Sequence, residues 1–164
     1  MNPLVNRRPT RILCLGNELL ADDGAGPAVA AALQGRIPEE CDLVISQVGG
    51  LRLLDEVTGV DRLLVVDAAL SGSAPPGTIR ILRPGSLAVM PPCTQHAFGL
   101  AEALQLAARL GLEIPQETTV ITIEAADVTT VGGAMTPEVA AAVEEAAEMC
   151  VRLAAGAGLS ELES

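Results

Sequence analysis

The chain of 164 residues contains no lysine, no tryptophan and no tyrosine, one phenylalanine (Phe98) and one histidine (His96). Without lysine there is neither a Walker-type phosphate grip nor a Schiff-base nucleophile. Without aromatics there is no platform on which single-stranded bases could stack. The 21 acidic residues against 10 basic ones, all arginine, give a formal net charge of −11 that repels phosphate. Nucleic acid is therefore not expected as a partner. No apolar run reaches the roughly 18 residues that a membrane span needs, so no membrane insertion is expected. Cysteines 14, 41, 93 and 150 form no C-x-x-C pair. Such spacing fits neither a zinc cage nor a disulfide framework and points to reduced thiols in the cytoplasm.

What the chain does have is aliphatic residues. Hydrophobic residues make up 49%, and a mean hydropathy of +0.42 is incompatible with a disordered chain. The length suits one domain over residues 1–164, with 1–10 and 156–164 as loose tails. The Arg7-Arg8 lead-in has the look of a twin-arginine export signal. Its apolar run stops at Gly16-Asn17, however, and Asp22-Asp23 follows, so export is not expected.

Short apolar runs and helical periods alternate. Ile12–Leu15 reads as a strand buried on both faces. Asp22-Asp23-Gly24 then offers a helix start, with Pro27 in the first turn and Val29, Ala32 and Leu33 on one face, ending near Gly35. Asp42–Ser46 is a second strand, closed by Gly49-Gly50, and Leu51, Leu54 and Val57 suit a short helix. Leu63–Val66 is the clearest strand and ends at Asp67.

Thr78–Leu82 alternates its faces and follows about ten residues later. That connection is too short for a parallel crossover, so an antiparallel edge strand is expected. A long loop through Met90–His96 leads to an amphipathic helix over Gly99–Leu110, with Leu100, Ala103, Leu104, Ala107 and Ala108 inward. Thr119–Ile123 is the fifth strand, ending at Glu124. The last helix opens with Thr136 as cap and Pro137 at its first position, burying Val139, Val143, Ala146, Ala147, Cys150, Val151 and Ala154. The expected fold is a three-layer α/β sandwich: a mostly parallel five-stranded sheet, one antiparallel edge strand, and helices on both faces.

Ligands of open α/β sheets bind beyond the carboxyl ends of the strands. Asp23, Asp67 and His96 are carried to that rim, where two carboxylates and an imidazole make three ligands of a divalent cation with positions left open. Each has a plainer role available: Asp23 as a helix cap, Asp67 as a structural carboxylate, His96 as an ordinary loop residue. Glu18, Asp22 and Glu124 compete for the same assignment. Other chemistry has less support. Glycines 16, 24 and 26 do not spell G-x-G-x-x-G, there is no G-x-S-x-G elbow, and a Cys93–His96 pair lacks an orienting partner.

Gly16-Asn17-Glu18-Leu19-Leu20-Ala21-Asp22-Asp23-Gly24-Ala25-Gly26 resembles the N-terminal motif of the NiFe-hydrogenase maturation proteases. The resemblance continues through Gly49-Gly50, Val65-Val66-Asp67-Ala68, Thr94-Gln95-His96, Ile121–Glu124 and Met135-Thr136-Pro137, covering roughly residues 11–155. The hydrogenase 3 type is the most similar, through Asp22–Pro27 and Pro76–Ile81.

The resemblance implies an endopeptidase that removes the C-terminal extension of the hydrogenase large-subunit precursor after nickel insertion. It implies metal ligation by Asp23, Asp67 and His96, which are also the candidates for catalysis, although no catalytic residue is assigned. Nickel would be carried by the substrate, and the site could take other divalent metals such as zinc or cadmium. The partner implied is the large-subunit precursor, and the protein itself is expected to be a monomer. One departure stands out: some members have a carboxylate just before the Gly-Gly pair, where this chain has Val48. The alternatives that share the three ligands are a non-catalytic nickel-dependent checkpoint or chaperone for the large subunit, and a self-sufficient zinc hydrolase.

Overall fold

The computed structural model describes residues 10–83, 94 and 96–162. Five strands form one sheet: β1 (Thr10–Leu15), β2 (Asp42–Ser46), β3 (Arg62–Ala69), β4 (Ile79–Leu82) and β5 (Glu117–Glu124), in the order β2-β1-β3-β5-β4. The first three and β5 run parallel, and β4 pairs antiparallel with β5 at the edge, as its short connection requires. Among the described residues there are four α-helices: α1 (Ala25–Leu33), α2 (Leu54–Val57), α3 (Leu100–Arg109) and α4 (Pro137–Ala154).

Strand alternation divides the core in two. Ile12, Cys14, Leu64, Val66, Ile121 and Ile123 pack under α1 and α4. Leu13, Leu15, Leu63, Val65 and Val120 pack on the opposite face against Leu53, Val57, Leu100 and Ala103. The sheet therefore lies between two helical layers. Asp67 shares the parity of Leu63 and Val65, which turns its side chain toward the second face. No helix among the described residues is long and apolar enough to cross a membrane.

Several local expectations need correction. Residues 1–9 lie outside the described residues, and Thr10 already belongs to β1 rather than to a tail. Asp22-Asp23-Gly24 does not cap a helix. It forms a 3-10 turn over Ala21–Gly24, and α1 begins at Ala25 without a side-chain cap. The stretch after Gly49 is a 3-10 turn followed by one α-helical turn, which buries Leu53 and Val57 and leaves Leu51 exposed. β3 continues two residues past Asp67 because β5 pairs with it as far as Ala69.

The helical faces are also rotated slightly from the expected ones. Ala108 is exposed on α3, and α4 buries Ala142 and Leu153 while Val143, Val151 and Ala154 are only partly covered. Beyond Gly156 the chain is not a loose tail as far as Leu162. It makes a 3-10 turn over Leu159–Glu161 and packs Leu159 and Leu162 on the core, apolar surface that a free tail would leave in water. Cys93 and most of the loop before His96 lie outside the described residues.

Candidate functional site

The strand order places β2 on one side of β1 and β3 on the other. The carboxyl ends of β1 and β3 therefore diverge toward different connections, the crevice where open α/β sheets hold ligands. Asp23 reaches it from the turn after β1, Asp67 from within β3, and His96 from the loop before α3. Both aspartates are buried and the His96 side chain is 15% exposed.

Each carboxylate is held in the same way. Asp67 Oδ2 accepts the backbone N–H groups of His96 (2.9 Å) and Ala97 (2.7 Å), which leaves Oδ1 facing the imidazole, 3.3 Å from His96 Nδ1. Asp23 Oδ2 accepts the backbone N–H of Asn17 (2.9 Å), while Oδ1 lies 3.6 Å from the same Nδ1. Asp23 Oδ1 is buried with no hydrogen-bond partner. One oxygen of each aspartate is thus fixed by backbone amides and the other is turned inward beside the imidazole.

The three ligand atoms all lie within 4.8 Å of one another. A cation with ligand bonds of about 2.1 Å separates tetrahedral ligand atoms by about 3.4 Å. The two imidazole–carboxylate separations, 3.3 and 3.6 Å, bracket that value, so the head groups are placed to close on one ion with little movement. An unpartnered buried carboxylate oxygen costs about 1–3 kcal/mol, and a cation would remove that cost.

The electrostatics follow from this crowding. Burial pushes the Asp23 carboxyl above its ordinary value; the imidazole and the Asn17 amide pull it down, and the neighbouring Asp67 charge adds to the rise. The hydrogen bond to Asp67 raises the His96 imidazole; burial opposes this, and the charges of Asp67 and Asp23 reinforce it. Without a cation, the two carboxylates favour the protonated form of the imidazole.

Two glycine positions make the geometry possible. Gly16 has φ +143°, and a Cβ there would sit 2.1 Å from the carbonyl oxygen of Asp23. The β1 end and the Asp23 turn can touch only because that side chain is missing. A Cβ at Gly49 would lie 3.0 Å from the His96 carbonyl oxygen, so the Gly49-Gly50 bend packs directly against the histidine backbone.

The competing carboxylates have other work. Asp22 accepts hydrogen bonds from the backbone N–H groups of Ala126, Asp127 and Thr136 and from the Thr136 hydroxyl. Glu124 accepts from the Ser71 and Gly72 amides and the Ser71 hydroxyl, which pins the chain leaving β3. Glu18 is exposed. Val48, just before the Gly49-Gly50 bend, packs against the core beneath β1 and β3. The part played by the Asn17 amide does not follow from its residue type, because any backbone N–H could make the bond. The only sequence signal for it is its place between Gly16 and the acidic turn.

A family model described as hydrogenase maturation protease matches residues 27–153. The hydrogenase 2 maturation protease of Escherichia coli K12 is 30% identical over 141 residues, 84% of this chain and 85% of the relative. The hydrogenase 3 maturation protease of the same organism is 36% identical over 94 residues, a shorter match covering 54% of this chain and 58% of the relative. The solved structure of the hydrogenase maturating endopeptidase HybD from Escherichia coli superposes with a TM-score of 0.75 at 28% identity, covering 90% of this chain and 94% of that one. Sequence motif, sheet order and whole-chain likeness agree: the chain belongs to the hydrogenase maturation protease family and is an endopeptidase of that kind.

Proposed function

We propose that this endopeptidase removes the C-terminal extension of the NiFe-hydrogenase large-subunit precursor in the cytoplasm, and that Asp23, Asp67 and His96 recognise nickel already inserted in that precursor. The observation that carries the reading is the pair of inward oxygens, one on each aspartate, facing a single imidazole nitrogen. Three hard or borderline ligands leave coordination positions for thiolates supplied by a substrate. Nickel is then part of the substrate, and the site closes fully only on a precursor that contains it.

Docking through the metal brings the tail beside the cleavage site and makes hydrolysis intramolecular in effect. The reaction adds water across the scissile C–N bond, giving a new carboxylate on the mature subunit and an amine on the released peptide. With Val48 in place of a carboxylate, acid–base participation falls to Asp23, Asp67 and His96. The family relationship favours cleavage over a purely binding checkpoint.

The test is processing of purified precursor, with and without nickel, by the wild type and by His96→Ala. Shortening of the nickel-loaded precursor alone, abolished in the variant, is expected. Unimpaired processing by His96→Ala overturns the role given to the imidazole. Metal analysis separates this reading from a resident-zinc hydrolase: the freshly purified chain is expected to hold far less than one equivalent of metal.

A further inference from the structure

Among the described residues, nine large hydrophobic side chains are exposed, and five of them lie on connections at the carboxyl end of the parallel strands, the end that carries the acidic site. Leu19, Leu51, Leu70, Phe98 and Val131 are between 44% and 77% exposed. Each is linked, through the chain or a backbone hydrogen bond, to a segment that carries one of the three head groups. Leu19 donates its N–H to the Asn17 side chain, the residue whose amide holds Asp23, and its carbonyl accepts the Gly132 N–H at 2.7 Å. Val131 lies beside it, bridged to Leu20. Phe98 follows His96 by two residues, and its carbonyl accepts the N–H of Gly50, which precedes Leu51. Leu70 leaves β3 three residues beyond Asp67, on the segment that Glu124 fixes. Of the other four, Leu110, Leu112 and Ile114 lie between α3 and β5, at the opposite end of the sheet, and Ile45 is on β2.

We propose that these five side chains form a docking collar for the face of the precursor that surrounds its thiolate-held cation. This rests on the nickel-recognition reading above. Charge decides the occupant. A hydrated free ion has no use for an apolar rim, whereas an ion presented by a folded polypeptide brings apolar surface with it. A second copy of this chain would set two dicarboxylate sites against each other, which like-charge repulsion opposes. An anionic membrane is repelled by a protein of charge −11. A partner with a cation at the centre and aliphatic surface around it matches both the anionic centre and the rim, next to whose Leu19 and Leu51 stand the exposed charges Glu18 and Arg52.

Leu51→Ser, Phe98→Ser and Val131→Ser are assayed on nickel-loaded precursor, with Leu112→Ser at the far end as control. Zinc affinity and thermal melting of the free variants are measured alongside. Each collar variant is expected to raise KM about tenfold while kcat stays within about twofold, as loss of an interface anchor does. Zinc affinity and the KM of Leu112→Ser are expected to match the wild type. Val131, the most exposed of the five, keeps the test valid where Phe98→Ser lowers the melting temperature. Unchanged KM in the collar variants, with the wild type still cleaving, overturns the collar alone, as does an equal rise in Leu112→Ser. A wild type that ignores nickel-loaded precursor overturns the underlying reading and the collar's occupant with it.

Discussion

Asp22 and Thr136 stand 114 positions apart, yet the Asp22 carboxylate accepts both the backbone N–H (2.7 Å) and the hydroxyl (2.9 Å) of Thr136. The threonine thus makes no side-chain bond to its own helix and ties the start of α4 to the turn that carries Asp23. With the amides of Ala126 and Asp127 also on this carboxylate, one residue holds three segments together. Asp22→Ala is expected to cost about 2–4 kcal/mol, because several part-buried donors lose a charged acceptor at once. Urea unfolding measures it.

The pH dependence of the same clamp has a definite sign. Burial would raise the Asp22 carboxyl, but the hydrogen bonds from Asp127, Thr136 and Ala126 outweigh it and hold the group below its ordinary value. An acid depressed in the folded state stabilises above the unfolded value of about 3.9, and that stability is lost as pH falls through the folded value. Between pH 7 and about 2, the wild type should lose stability more steeply than Asp22→Asn, and the two curves should converge at the acid end.

Gly16→Ala separates packing from ligation. Its Cβ would meet the Asp23 carbonyl at 2.1 Å, against rigid backbone and at a φ that favours glycine. A loss of about 2–4 kcal/mol is expected, from backbone strain and overpacking together. Because the strain falls on the turn holding Asp23, cation affinity should fall too, although no ligand has been changed. Calorimetric titration with zinc checks this.

Much of this architecture is legible in the chain because it depends on local pattern. The apolar runs at Ile12–Leu15 and Leu63–Val66 can sit only at the centre of a sheet, and the short link before Ile79 dictates an antiparallel edge. The meeting of Asp23 and Asp67 is legible from the rim rule, since one follows β1 and the other lies near the carboxyl end of β3, while His96 is delivered by the loop before α3. What is not legible is which neighbour claims each polar group. Thr136 reads as a helix cap, and only the fold reveals that Asp22 takes its hydroxyl. Asp22 and Asp23 are chemically alike in sequence. The difference between a clamp and an inward-facing oxygen is made by Ala126, Asp127 and Thr136, which lie more than a hundred residues away. The same holds for Leu159, whose burial depends on where α4 ends rather than on its glycine-rich surroundings.

The thiols should differ sharply in reactivity. Burial pushes the Cys150 thiol up to about 12, and burial together with Cys150 raises that of Cys14 further. Neither can supply thiolate at neutral pH. Alkylation of the native protein followed by peptide mass analysis should leave Cys14 and Cys150 unmodified and label partly exposed Cys41 slowly, with all three labelled in denaturant.

The strongest test of the site as a functional rather than a structural feature is the sign of a stability change. Asp23 is buried, one of its oxygens has no partner, and Asp67 lies close enough to raise its pKa, so its charged form opposes folding at neutral pH. Asp67 is the reverse case, because two backbone amides depend on it. Asp23→Asn should therefore raise the stability of the metal-free protein by about 1 kcal/mol while reducing processing at least about a hundredfold. Asp67→Ala should lower stability by about 3 kcal/mol or more. Thermal melts of the two variants in chelator, run beside the processing assay, decide the matter. A destabilised Asp23→Asn would mean that Asp23 is there to hold the fold, whereas a more stable and inactive one would mean that its buried charge is kept for the cation it meets.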